Sequence, residues 1–444
     1  MEVEYFNESH FSRFSSGGRT NIYGLSVFTT RLGSGLPYDR EFPSNTSKCL
    51  SLEILTNNLR NRENKERIHQ HLFVSSFYGV TCFVSAQGYW NTIDLPLDKD
   101  IGEIISMDVF SSINSDFVFA LTTAHSGQRI IPDDDSQSQF SLRIYSLSDY
   151  ALTFMEDAIF KIIGNCQSIR INFTPTQLAH TTINKEDEDC TALILCGNDG
   201  GVHLYIEEKG TKKWEEISVR PYFPFLAGFA DSNSNILSLE IKEFQNIKII
   251  AAGCQNGMLH VSISKRSESA GDFEQQEQSS VALFSPITSI SIFKSSTSEK
   301  EEIHMLVTCA VEQAIVYCYV DKKLLKHPFY LRECSQHDSV LCSHIMDIDW
   351  DGQNEILVGT YGRELLVYKQ GMITFQLIWQ RSFMHPIYRI SGLDLNEDGV
   401  EELIVATQYG VHILQPNLHK AKEQLFKVLN EIDALDKEYK ELCT

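Results

Sequence analysis

The chain has 444 residues, 42% hydrophobic and 11% aromatic, enough apolar surface for a large packed core and too much for global disorder. Its 38 basic residues face 59 acidic ones, and the formal charge of −21 argues against nucleic acid or an anionic membrane surface as a direct partner. The eleven cysteines are scattered and form no CxxC; Cys82, Cys196, Cys254 and Cys318 lie inside apolar runs, so they read as reduced core thiols.

The opening MEVEYFNESH is acidic and polar, without the basic and apolar regions of a secretory signal. No apolar run reaches the length of a bilayer span. The expectation is a soluble cytosolic chain with no direct membrane insertion.

Seven short alternating apolar segments then recur: Ile22–Phe28, Ile104–Phe110, Ile169–Phe173, Ile236–Ile241, Ile287–Phe293, Val340–Ile348 and Ile387–Leu395. An apolar hairpin follows each, around Leu72–Val84, Phe117–Leu147, Ala192–Tyr205, Ile249–Ile263, Met305–Val320, Ile356–Tyr368 and Leu403–Leu414. A fourth apolar stretch follows most hairpins, for example Phe375–Trp379. Strand-period alternation of this kind, repeated seven times, predicts an all-β fold, a seven-bladed β-propeller with a C-terminal α-helix. Two packed β-domains are the alternative.

The last hairpin has no fourth strand behind it. A propeller must close, so part of Val3–Phe14 is expected to supply the missing outer strand. The predicted domains are residues 1–415, the propeller, and residues 416–444, the helix. Polar inserts at Gly33–Ser47, Ser126–Gln139, Asn184–Asp189, Arg266–Ser280 and Ser295–Glu302 are expected to loop out of the sheets.

From Leu418 the period changes to seven. Leu418, Leu425, Ile432 and Tyr439 form one row, and Ala421, Val428, Leu435 and Leu442 a second, flanked by Lys and Glu. Asn417 after Pro416 is the expected N-cap. The helix either braces the propeller or pairs with a partner's helix. The narrow seam and mixed-charge flanks favour a partner, with Leu418, Leu425, Val428, Ile432, Leu435, Tyr439 and Leu442 as the contact residues.

Catalytic motifs are absent: no GxxxxGK, no GxGxxG after a strand, no HExxH and no GxSxG. The chain therefore reads as a non-enzyme. His69-Gln70-His71 reads as a solvated strand start, and the pairs Glu215-Glu216 and Glu401-Glu402 as exposed charge. Tyr222, Phe223, Phe225, Phe229 and Tyr361 are aromatics in loop-like settings, either buried or available as anchors.

Two acidic loops carry more chemistry. Asp347, Asp349, Asp351 and Glu355 surround Gly352 in the first; Asp394, Asn396, Asp398 and Glu402 surround Gly399 in the second. Oxygen ligands at positions 1, 3, 5 and 9 around a glycine are a plausible Ca²⁺ set. Asp and Gly are also favoured simply because they make tight turns. The structural turn is the favoured reading, so no cofactor is expected, with Ca²⁺ as the alternative.

These loops resemble FG-GAP repeats of integrin-α-type propellers. A more specific resemblance, to the kaptin family, rests on FSRFSS at 11–16, NIYGL at 21–25, FTPTQLAH at 173–180, GND at 197–199 with VHLY at 202–205, and GCQNG at 253–257. It continues through DSVLCS at 338–343, the first acidic loop, TYGRELL at 360–366, WQRSF at 379–383 and GVHILQ at 410–415. It is weakest over Arg31–Gln70 and the polar inserts. The resemblance implies a non-enzymatic subunit of KICSTOR, the complex that holds the GATOR GTPase-activating assembly at the lysosome so that nutrient shortage silences mTOR complex 1. It implies other KICSTOR subunits as partners, among them a second FG-GAP-type propeller protein. It also implies an alternative role as an actin-associated protein of the cell periphery.

Overall fold

The computed structural model describes residues 5–14, 18–32, 67–86, 88–98, 100–112, 115, 117–125, 139–148, 155–185, 188–229, 234–266, 273–295, 302–371 and 374–442. β1 (Phe6–Arg13) opens the described chain. Blade 1 follows with β2 (Leu25–Leu32), β3 (Arg67–Ser76), β4 (Gly79–Ala86) and β5 (Tyr89–Asp94). Blade 2 is β6 (Glu103–Phe110), β7 (Phe117–Ala124), β8 (Phe140–Leu147) and β9 (Cys166–Ile171). Blade 3 is β10 (Pro175–Lys185), β11 (Glu188–Gly197), β12 (Val202–Glu207) and β13 (Trp214–Ile217). Blade 4 is β14 (Ile236–Phe244), β15 (Ile247–Cys254), β16 (Met258–Arg266) and β17 (Phe273–Ala282).

Blade 5 is β18 (Ile287–Ser295), β19 (Glu302–Cys309), β20 (Ile315–Tyr317) and β21 (Pro328–Tyr330). Blade 6 is β22 (Val340–Met346), β23 (Glu355–Thr360), β24 (Glu364–Gln370) and β25 (Phe375–Ser382). Blade 7 is β26 (Ile387–Leu393), β27 (Glu402–Thr407) and β28 (Gly410–Pro416), with β1 as its outer strand. All pairings are antiparallel, and the first strand of every blade lines one central channel. The fold is a seven-bladed β-propeller with a C-terminal helix.

Each second strand is the apolar heart of its blade; β7, β23 and β27 are buried almost throughout. Residues alternate between the two faces of a strand, so both faces of these strands meet a neighbouring blade. Between blades 1 and 2, Phe28 and Phe117 lie 4.8 Å apart by ring centroid, and Phe73 and Phe119 5.9 Å. Burying each such ring contributes about 1.5–3 kcal/mol. In blades 2 to 7 a register shift falls near the start of the first strand, as between Ile387 and Arg389. A bulge there sharpens the local twist where the strand enters the channel wall.

Phe6 pairs with Pro416 and Arg13 with Gly410, so the two ends of the propeller share one sheet. Phe6 is 1% exposed, packed with Leu403 and Leu414 and 5.9 Å from the Trp379 ring. The seam between blades 7 and 1 is filled by Leu393, Leu395 and Ile404 against Leu72 and Val74.

Three segment assignments are corrected. Ile169–Phe173 does not begin blade 3: β9 ends at Ile171 as the outer strand of blade 2, and Pro175 starts the inner strand. Alternation has the same period in both strands, so it could not tell one blade's end from the next one's start. The second half of Arg266–Ser280 is not a loop but β17, paired with β16 along its length. An outer strand has one solvent-facing side, so a polar sequence suits it. Nor does Asn184–Asp189 leave the sheet: Asn184 pairs with Asp189 and Lys185 with Glu188 at the ends of β10 and β11, with 186–187 outside the described residues, as are 33–47, 126–138 and 296–301 of the other inserts.

Candidate functional site

Both acidic loops join the first and second strands of their blades and fold alike. In the first, Asp347 Oδ2 accepts from the Gly352 N–H at 2.8 Å, Asp351 Oδ1 from the Gln353 N–H at 2.9 Å, and Glu355 Oε2 from the Ile348 N–H at 2.9 Å. The second repeats this: Asp394 Oδ2 accepts from the Gly399 N–H at 2.8 Å, Asp398 Oδ1 from the Val400 N–H at 2.9 Å, and Glu402 Oε2 from the Leu395 N–H at 2.8 Å. Gly352 and Gly399 have φ of 84° and 91°, where a side chain would be strained. These carboxylates therefore close the turns on backbone donors.

The two centres differ. In the first loop the ammonium of Lys369, on β24, lies 2.6 Å from Asp349 Oδ2, 2.7 Å from Asp351 Oδ2 and 2.9 Å from Glu355 Oε1. The contact to Glu355 Oε1 is an ion pair outside hydrogen-bond angles. Asp347, Asp349 and Glu355 do bring one oxygen each within 4.8 Å of one another. Asp347 Oδ1 and Asp349 Oδ1 are buried without a hydrogen-bond partner. A hard cation would nevertheless have to displace Lys369, which already engages three of the four carboxylates that Ca²⁺ would need. In the second loop Asn396 Nδ2 donates to Glu402 Oε1 at 2.6 Å and to Asp398 Oδ2 at 3.1 Å. There the amide dipole takes the central place.

Burial pushes Glu355 up to about 7 against the pull of the Ile348 N–H and Lys369. Burial likewise pushes Glu402 up to about 7, opposed by the Leu395 N–H and reinforced by Asp398 and Asp394. Asp351 goes the other way: burial raises it, but the Lys369 hydrogen bond and the Gln353 N–H carry it below the usual range. Lys369 itself is raised, its carboxylate hydrogen bonds outweighing burial.

Sequence reasoning missed Lys369 altogether. The visible signal was one lysine interrupting the apolar strand ELLVYKQ, at the place where blade 7 has Gln415. Two expectations are also overturned. His69 and His71 are each 3% exposed, not solvated. His69 Nδ1 meets Glu397 Oε1 at 2.5 Å, tying the second loop to blade 1, and His71 Nδ1 accepts the Ser85 N–H. Glu402 is 1% exposed, although Glu215 and Glu216 are indeed on the surface. Among the aromatics, Phe223 and Phe229 are buried, Tyr222 and Phe225 pack partly against the same core, and Tyr361 is about half exposed.

The terminal helix, Leu418–Leu442, begins against the closing strand. The Asn417 N–H donates to Tyr5 O at 2.8 Å, and Asn417 Oδ1 accepts the Lys420 N–H at 3.4 Å as the cap. Lys420 Nζ stands 4.5 Å over the Tyr5 ring. Among the described side chains, Leu418, Leu425, Val428 and Ile432 of the seam are exposed, as are Phe426 and Leu429. The side chains of Leu435, Tyr439 and Leu442 lie outside the described residues.

The nine described cysteines are free thiols, and Cys82, Cys196, Cys254 and Cys318 are buried. Among the described residues no helix is long and apolar enough to cross a membrane.

The family model described as KICSTOR complex protein kaptin matches residues 97–426. The chain belongs to the kaptin family. It is 32% identical over 346 residues to mouse (Mus musculus) KICSTOR complex protein kaptin, covering 74% of this chain and 76% of the mouse kaptin. Among solved structures, that of BBS1N in complex with ARL6DN, soaked with lead, covers 93% of this chain and 97% of its own, at 11% identity and a TM-score of 0.47. A likeness of that size carries no functional argument. Membership of the kaptin family supports a KICSTOR-type scaffold role with protein partners, and a propeller scaffold of this kind suits a non-enzyme.

Proposed function

We propose that this chain is a non-enzymatic scaffold subunit of a KICSTOR-like complex that recruits the GATOR GTPase-activating assembly to lysosomes and restrains mTOR complex 1 during nutrient shortage. In this reading the propeller, residues 1–415, is a rigid platform, and the helix, residues 416–444, is the element that engages another subunit. The supporting observation is the row Leu418, Leu425, Val428 and Ile432, exposed on a helix that joins the propeller at its start. An apolar seam of this length is costly in water and is the surface a partner helix covers. Leu435, Tyr439 and Leu442 extend the same seam in sequence. A second FG-GAP-type propeller subunit is the proposed partner, and the cytoplasm with recruitment to the lysosomal surface is the proposed location.

In the same reading the two acidic loops work as structural turns and not as Ca²⁺ sites, because Lys369 and Asn396 stand where a cation would.

The test is affinity purification of the full chain beside a version ending at Gln415, with mass spectrometry of both. Loss of the KICSTOR-type subunits from the shorter chain is expected. Retention of all of them would place the docking surface on the propeller. If the full chain captures no such subunit, the scaffold reading itself fails.

A further inference from the structure

The first strands of all seven blades enclose a central cavity of about 710 Å³. At one mouth Tyr23 reaches across from blade 1 and donates its phenol hydrogen to Leu237 O of blade 4, at 2.6 Å. That phenol spans the channel on the face where the strands enter. Lys242 and Asn354 line the cavity toward the opposite end.

Most polar groups of the wall satisfy one another. Asp108 accepts from Ser26 Oγ at 3.1 Å and pairs with His180 Nδ1 at 2.7 Å. Gln177 bonds both the N–H and the carbonyl of Leu239, and Ser343 bonds Ser289 and Ser291. Arg389 is the exception. It lines the cavity from blade 7, and among the described residues its guanidinium has no hydrogen-bond or ion-pair partner. Glu240 is near enough to feel its charge, but its close contact is with Lys242 Nζ, at 3.6 Å.

His344 points the same way. Its Nε2 accepts the Gly392 N–H at 2.9 Å, and burial with the nearby cations Arg389 and Lys242 lowers the ring to about 4. At neutral pH the ring is uncharged, so its one proton is on Nδ1. Among the described residues no acceptor meets that N–H. A partly enclosed guanidinium and an unused N–H on one wall, with half-exposed Lys242 toward the mouth, form an incomplete anion site.

We propose that the central channel binds a small anion bearing a carboxylate or phosphate group, held by the Arg389 guanidinium with the His344 Nδ1–H and guided in by Lys242. A planar guanidinium offers two parallel donors to either oxyanion, so both share the recognition chemistry. The inference is independent of the helix and of the scaffold reading.

Titration calorimetry on the full chain, with inorganic phosphate and with succinate as probes, tests it. Saturable one-to-one binding of at least one is expected, and comparison of the two shows which oxyanion the site prefers. Arg389→Gln should weaken that binding roughly tenfold or more, the loss of a charge-assisted bidentate contact. Lys242→Gln, at a half-exposed position, should weaken it roughly threefold while leaving the fold intact, and decides the matter if the Arg389 variant does not fold. No saturable binding of either probe overturns the proposal. So does binding that survives unchanged in a folded Arg389→Gln or in Lys242→Gln, since the anion would then sit elsewhere on the surface.

Discussion

The ammonium of Lys369 lies 2.6 Å from Asp349 Oδ2, inside a loop whose sequence reads as a cation site. The chain thus supplies its own positive charge to the first acidic loop. A tethered ammonium brings that charge to the turn without an ion from solution.

Lys369→Met should therefore destabilise the protein by roughly 2–4 kcal/mol, somewhat below the loss at a fully buried pair because water reaches part of the site. The variant should also gain a response that the parent lacks: millimolar Ca²⁺ raises its melting temperature. Thermal denaturation of both proteins with Ca²⁺ and with chelator checks this. A parent that loses stability in chelator would contradict the internal-cation reading.

Glu355 and Glu402, both raised from 4.5 to about 7, set a pH dependence. A carboxyl held above its unfolded value makes the folded chain bind more protons than the unfolded one. Its favourable contribution is complete below about pH 4.5 and is lost as pH rises through 7. Glu402→Gln should flatten the decline of melting temperature between those limits. Melting curves at a series of pH values give the answer, and an equally steep decline would count against it.

Glu397 contributes with the opposite sign. Burial works to raise it, but hydrogen bonds from His69 and Ser85 carry it below its usual value. Its stabilisation is present at neutral pH and lost as pH falls through the acid range. Glu397→Gln should weaken the seam between blades 7 and 1 most at neutral pH and least at low pH. Hydrogen exchange of the β3 amides at two pH values reads this locally.

Phe6→Ala removes a buried ring from the closing strand and should cost about 3–5 kcal/mol. Deleting residues 1–14 should go further, since it also leaves the edge of β28 unpaired. An unchanged thermal transition in the deletion would show that blade 7 stands without β1.

Leu425→Glu combined with Ile432→Glu should leave the melting temperature unchanged, because both side chains are already exposed. Capture of partner subunits should fall sharply. Unaltered capture would remove the helix seam from the proposed interface.

Much of this was legible along the chain. Alternating runs such as Leu403–Val405, a glycine with positive φ and a heptad each report backbone periodicity, which neighbours in sequence determine. Closure by the N-terminal strand followed from counting strands, since a ring with an odd edge exposes unpaired backbone. Blade 3's start was misplaced because the same alternation serves outer and inner strands alike.

The chemistry of the sites was decided elsewhere. His69 and Glu397 are 328 residues apart yet within 2.5 Å; Tyr23 crosses to Leu237 over a separation of 214. Such meetings depend on ring closure, and no local pattern encodes them. Composition and spacing by themselves determined a seven-fold β-repeat with two acidic turns and a terminal helix. Only the tertiary structure decided that a lysine fills the first turn, that Glu402 is buried, and that Arg389 faces the channel with no hydrogen-bond or ion-pair partner among the described residues. Strand identity is a local free-energy choice, whereas charge and burial depend on what the rest of the fold brings alongside.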